Sequence, residues 1–186
     1  MSFASGPGAN FSGSLSGPFV IAQAETAARI NYLPGNYRAY LWHNGRSQDY
    51  DGTESRHTGI GFSVDQKVDD DLTLFGRYGR QLKGRVRFDN ALTLGAELAG
   101  GSWARSADSL GIAFGSLRTS ADFRRDSLTA VGYQADGAER QTEIYYRYRV
   151  NGHLDLSPHV QWIRNPGGNG DAATVKVAGL RAKVAF

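Results

Sequence analysis

The sequence predicts an all-β chain folded as an antiparallel transmembrane β-barrel of eight or nine strands, and three observations predict it. Nine segments alternate apolar and polar residues with a period of two, which puts successive side chains on opposite faces of a strand. Mean hydropathy is -0.42 and no apolar run approaches the length of a membrane helix, although 40% of the 186 residues are hydrophobic. Alternating strands average to such a hydrophilic score while each keeps one continuous apolar face. Finally, short connections at 34–36, 67–71 and 151–153 alternate with longer ones at 45–57, 81–89 and 117–139. Membrane barrels have short turns at one end and longer loops at the other, whereas a soluble sandwich has no reason to keep that rhythm.

Residues 1–20 are rich in Gly and Ser and are expected to form a flexible lead, with the barrel domain at 21–186. The first strand, Ile21 to Leu33, alternates most weakly. Pro34-Gly35-Asn36 is expected to turn it into the second, Tyr37 to Asn44. There Tyr37, Ala39 and Leu41 share one face and Arg38, Tyr40 and Trp42 the other. The third, Thr58 to Gln66, sets Ile60, Phe62 and Val64 against Gly61, Ser63 and Asp65. The fourth, Leu72 to Arg80, sets Leu72, Leu74 and Tyr78 against Phe75 and Arg77.

The fifth strand places Leu92, Leu94 and Leu98 opposite Thr93 and Glu97, and the sixth places Leu110, Ile112 and Phe114 opposite Gly111 and Ala113. The longest connection, Leu117 to Ala138, holds a segment at 120–128 that begins with a helix-capping Ser120. A short helix there either constricts a lumen or lies on its rim. The seventh strand, Gln141 to Val150, sets Ile144, Tyr146 and Tyr148 against Glu143, Tyr145, Arg147 and Arg149. Asn151-Gly152 is a hairpin turn into the eighth, where Leu154, Leu156, Val160 and Trp162 oppose Asp155, His159 and Gln161. The last strand runs to Phe186, with Val184, Ala182, Leu180 and Ala178 on one face and Lys183 and Arg181 on the other.

The polar faces therefore converge on a lumen wall. Arg38, Arg77, Arg147, Arg149, Arg181 and Lys183 meet Glu97 and Glu143, with Tyr40, Trp42, Tyr145, His159 and Gln161 between them. Guanidinium donors and carboxylate acceptors suit the hydroxyls of sugars, and aromatic rings suit their CH faces. Taken singly, each charge also has a plainer role, pairing across strands to keep a polar wall satisfied.

Other chemistries find little support. The chain has no Cys, and its four histidines show no metal-ligand spacing, so neither metal nor cofactor is expected. Ser157 and His159 share a face but lack a nucleophile elbow and an oriented acid, so no enzyme is expected. Basic residues are scattered singly, against a nucleic-acid partner. Residues 1–8 do not form a secretory signal, so an exported chain has lost one or lacks its natural N-terminal part.

Two segments carry a resemblance. Ser157-Pro158-His159-Val160-Gln161-Trp162-Ile163-Arg164-Asn165-Pro166-Gly167-Gly168 resembles the penultimate strand of the carbohydrate-selective porins of the OprB family, which ends in Asn-Pro-Gly-Gly. Leu33-Pro34-Gly35-Asn36-Tyr37-Arg38 resembles that family's mid-barrel hairpin. The resemblance implies a bacterial outer-membrane channel for the passive diffusion of sugars, embedded in lipid, trimeric in some relatives and built from sixteen strands. The expectation is then that the chain is the C-terminal half of such a porin and lacks the N-terminal half of the barrel. The alternative is a small closed barrel with a structural or binding role and no open channel, because eight strands leave an interior filled by side chains.

Overall fold

A computed structural model describes residues 17–185. Four strands come first: β1 (Phe19–Ile30), β2 (Leu33–Gln48), β3 (Glu54–Lys67) and β4 (Leu72–Lys83). β5 (Phe88–Gly100) and β6 (Arg105–Thr119) precede the helix α1 (Ala121–Val131), and β7 (Ala138–Arg149), β8 (Leu154–Arg164) and β9 (Val175–Val184) follow it. They form a single nine-stranded sheet in sequence order, with every neighbouring pair antiparallel. Among the described residues no helix is long and apolar enough to cross a membrane. Among the described residues β1 and β9 each pair on one side only, so the sheet is open and does not close on itself as the small-barrel alternative expects.

The two faces divide as the alternation predicts. One exposes Phe62 at 51%, Leu94 at 51%, Ile112 at 50% and Leu180 at 66%. A soluble protein would bury this continuous apolar surface, and a bilayer solvates it. The turn end of the sheet carries the connections at 31–32, 68–71, 101–104 and 150–153. The loop end carries those at 49–53, 84–87, 120–137 and 165–174.

Two sequence expectations need correction. The first turn lies at Asn31 and Tyr32, with φ of 49° and 65°, and not at Pro34-Gly35-Asn36. Two consecutive positive-φ residues make the type I′ turn that matches strand twist, and Asn readily adopts that conformation. Pro34 instead lies inside β2, where pairing with β3 begins only at Gly35, so its missing N–H breaks no bond to β3.

Two of the long connections, 45–57 and 81–89, are also more than half strand. β2 runs 16 residues, on the order of 50 Å at about 3.3 Å per residue. Even tilted at about 45° it exceeds the apolar band of about 25 Å. Beyond the band both faces meet water, so the chain stays extended while its alternation fades. The lead expected at 1–20 lies outside the described residues as far as position 16, and β1 already begins at Phe19.

Candidate functional site: the polar face of the sheet

Across β1 to β4 the polar face carries an alternating ladder of charge. Arg38 pairs with Glu25 at 3.0 Å and with Asp65 at 3.0 Å, and Asp65 also accepts from Arg77 at 2.6 Å. Register explains the first contact, since Glu25 and Arg38 are directly opposed on β1 and β2. Arg77 also donates to the Val64 and Gly76 carbonyls at 2.7 and 2.9 Å, which fixes its plane.

A second cluster spans β5 to β9. Glu97 accepts from the Tyr145 hydroxyl at 2.7 Å and from Arg147 at 3.3 Å. Glu143 accepts from Gln161 at 2.7 Å and pairs with Arg181. Arg181 in turn lies 5.8 Å from the centre of the Tyr145 ring and donates to His159 Nδ1 at 3.4 Å. The remaining contact of His159 Nδ1 is the main-chain oxygen of Ser157 at 3.5 Å, so imidazole and serine hydroxyl are not arranged for nucleophilic chemistry. Toward the turn end Arg149 pairs with Asp155 at 3.0 Å, and Lys183 stands opposite the same Asp155.

The sequence-predicted residues therefore gather into two groups on one face, with Arg38, Arg77, Tyr40 and Trp42 apart from the rest. Sequence reasoning overlooked Glu25, whose role depends on the true first turn.

The aromatic members lie flat over glycines of the neighbouring strand. Tyr40 covers Gly61, Trp42 covers Gly59, Phe75 covers Gly95, Tyr145 covers Gly111 and His159 covers Gly179. A Cβ at any of these five glycines would fall inside van der Waals contact of the covering ring. The rings thus line the wall rather than project from it.

At the loop end α1 folds back over the strand ends. Ser120 caps it, its Oγ accepting from Phe123 N at 3.1 Å while donating to the Val86 carbonyl at 2.6 Å. Phe123 is fully buried, edge-on to Tyr50 at 5.4 Å and with the Arg87 guanidinium 5.7 Å from its centre. The Tyr50 hydroxyl donates to Asp126 at 2.6 Å, and Arg85 bonds Asp126, Tyr50 and Asp51 at 2.6 to 2.9 Å. Three separate connections are thereby joined into one block.

Burial and the Asp126 carboxylate push the Tyr50 hydroxyl up from its ordinary value, while the Tyr50 bond holds Asp126 below the usual carboxylate range. Asp49, set against buried His57 at 2.8 Å, is lowered too: burial works to raise it, but bonds from Ser55, His57 and the Arg85 amide outweigh that.

The comparisons agree with this architecture. The sequence profile of the carbohydrate-selective porin, OprB family, matches residues 2–186. Among curated proteins none matches the chain. The solved structure described as the high-pH structure of Pseudomonas putida OprB superposes with a TM-score of 0.78 at 22% identity. The match covers 92% of this chain and 49% of that one, so this chain spans about half the length of the protein whose fold it shares. With the family profile matched from end to end over a nine-stranded porin wall, the chain belongs to the OprB family of carbohydrate-selective porins.

Proposed function

We propose that this sheet is one half of the wall of an outer-membrane channel through which sugars diffuse passively, without covalent chemistry. The observation that carries the reading is the polar face itself, with fixed guanidiniums and carboxylates beside rings pressed flat over glycines. The ion pairs hold most charges in mutual compensation, so the wall presents hydrogen-bonding groups to hydroxyls without one dominant sign of field. The block around α1 stands at the mouth, and by the usual asymmetry of such barrels the loop end faces the cell exterior.

The open edges point to what completes the wall. β1 and β9 both run from loop end to turn end, so joining them directly would make a parallel pair. An all-antiparallel barrel needs an odd number of strands between them, and seven bring the total to the sixteen of the family. Reconstitution tests the reading: the complete barrel containing this sheet, folded in liposomes, should swell them in isotonic glucose or a disaccharide and pass discrete single-channel currents. A complete barrel that inserts but conducts neither sugar nor ions would overturn it.

A further inference from the structure

The apolar face carries a row of cations at the loop end that the lumen does not use. Arg80 on β4 stands opposite Asn90 on β5, and Asn90 opposite Arg118 on β6. Arg140 on β7 stands directly opposite Arg164 on β8, and Lys176 on β9 lies opposite Trp162. By strand alternation all five share the face of Leu94, Phe114, Ile144 and Leu180, and all five are exposed.

None of them forms an ion pair among the described residues, whereas the lumen arginines Arg38, Arg77, Arg147, Arg149 and Arg181 are all paired. The opposite rim of the same face differs. There Asp108 is 1% exposed and neutralises Arg105 through bonds of 2.8 and 3.0 Å, with Tyr146 donating at 2.6 Å. From β4 to β9 one rim thus carries these five unpaired cations among the described residues, while at the other Arg105 is held by Asp108.

Like charges directly opposed across a strand pair, as at Arg140 and Arg164, destabilise the sheet unless an anion lies between them. Their place fits one. Along β7, Arg140 is eight residues from Tyr148, about 27 Å of strand and about 20 Å of membrane depth at a tilt near 40°. Trp162 and Tyr78 lie two residues closer to the apolar band than Arg164 and Arg80, as interfacial aromatics do. The cations therefore sit at headgroup level, where a guanidinium takes two phosphate oxygens at once.

We propose that this row is a docking surface for the phosphorylated headgroups of lipids in the leaflet at the loop end. It rests on the porin reading only for calling that leaflet the outer one.

The test uses the folded protein in neutral detergent, titrated with a lipid A bisphosphate and with the same lipid stripped of its phosphates, bound lipid being read by native mass spectrometry. The phosphorylated lipid should bind, and R80Q/R118Q/R140Q/R164Q/K176Q should weaken it at least about a hundredfold, at roughly fivefold per charge near a surface. The milder R140Q/R164Q should lose about tenfold or more and carries the test if the larger variant fails to fold. Equal binding by parent and variant, or equal binding of the dephosphorylated lipid, overturns the proposal. Sugar flux through the complete barrel that contains this sheet separates the two readings. Flux with charge-independent lipid binding removes only the docking surface, and phosphate-dependent binding without flux removes only the channel.

Discussion

The Tyr145 hydroxyl reaches Glu97 at 2.7 Å by crossing the full width of β6, a path open only because Gly111 lies beneath the ring. A methyl group at position 111 would fall inside contact of that ring, which must then swing off the wall and release Glu97. Gly111→Ala should cost about 1–3 kcal/mol of stability, the range for an overpacked site that also loses a charged hydrogen bond. Tyr145→Phe removes the bond but keeps the ring in place. The pair separates packing from pore shape: single-channel conductance should fall in Gly111→Ala and stay at the parent value in Tyr145→Phe. Equal conductance in all three proteins would show that the flat ring does not set the width.

Asp65 is the shared acceptor between Arg38 and Arg77, and the three side chains are 28–42% exposed. Solvent at that exposure limits each pair to about 0–1 kcal/mol, so Asp65→Asn should hardly change the denaturation midpoint. Its effect is on the field: two guanidiniums lose their common counter-charge, and Arg38 keeps only Glu25. The reversal potential in a salt gradient should shift toward anion preference by an amount that shrinks as ionic strength rises. A large stability loss with unchanged selectivity would contradict this assignment of roles.

Strand alternation made the wall legible in the sequence, because one face had to be apolar whatever the pairing. Every polar-face residue from Arg38 to Lys183 took its face from that rule alone. Partners were another matter. Placing the first turn at Pro34-Gly35-Asn36 sets Tyr32 opposite Arg38, whereas the turn at Asn31 and Tyr32 sets Glu25 there and completes the ladder. Proline and glycine mark turns by preference, and here the two-residue I′ geometry with Asn31 outweighed them. The strand extensions at 45–48 and 81–83 were illegible for a different reason, since water on both faces removes the pattern that announces a strand. Helix α1 was legible from its cap, but the partners of Phe123 lie on distant loops and only folding brings them together.

Phe123 is the largest fully buried side chain of the described residues, and its neighbours Tyr50 and Arg87 belong to two other connections. Phe123→Ala should therefore loosen the loop block and leave the strands intact. Core Phe→Ala changes cost about 3–5 kcal/mol, and here that loss falls on local opening of α1 rather than on unfolding of the barrel. Amide exchange across 121–131 should accelerate by a factor of about a hundred or more, with strand amides unchanged. If the strands lose protection in parallel, the block is part of the global folding unit.

The same block should respond to acid. Asp49 and Asp126 are both held below the usual carboxylate value of 3.8, so protonation is harder in the folded block than in the opened one. For a depressed carboxylate the stabilisation is complete above the unfolded value and is lost as pH falls through the folded one. The block should stay closed from neutral pH down to the ordinary carboxylate range and open progressively below it. Tyr50 has the opposite sign: its value is raised from the ordinary 10.0, so its contribution is complete below that value and is lost as pH rises from there through the higher folded one. Asp126→Asn should abolish much of the acid response, because the Arg85 contact then loses its charge while Tyr50 keeps an acceptor. Protease cleavage within 121–137, followed from pH 7 to pH 3, should rise in the parent and rise clearly less in the variant, where Asp49 still titrates. An acid response of the same size in Asp126→Asn would place the titrating group elsewhere in the loops.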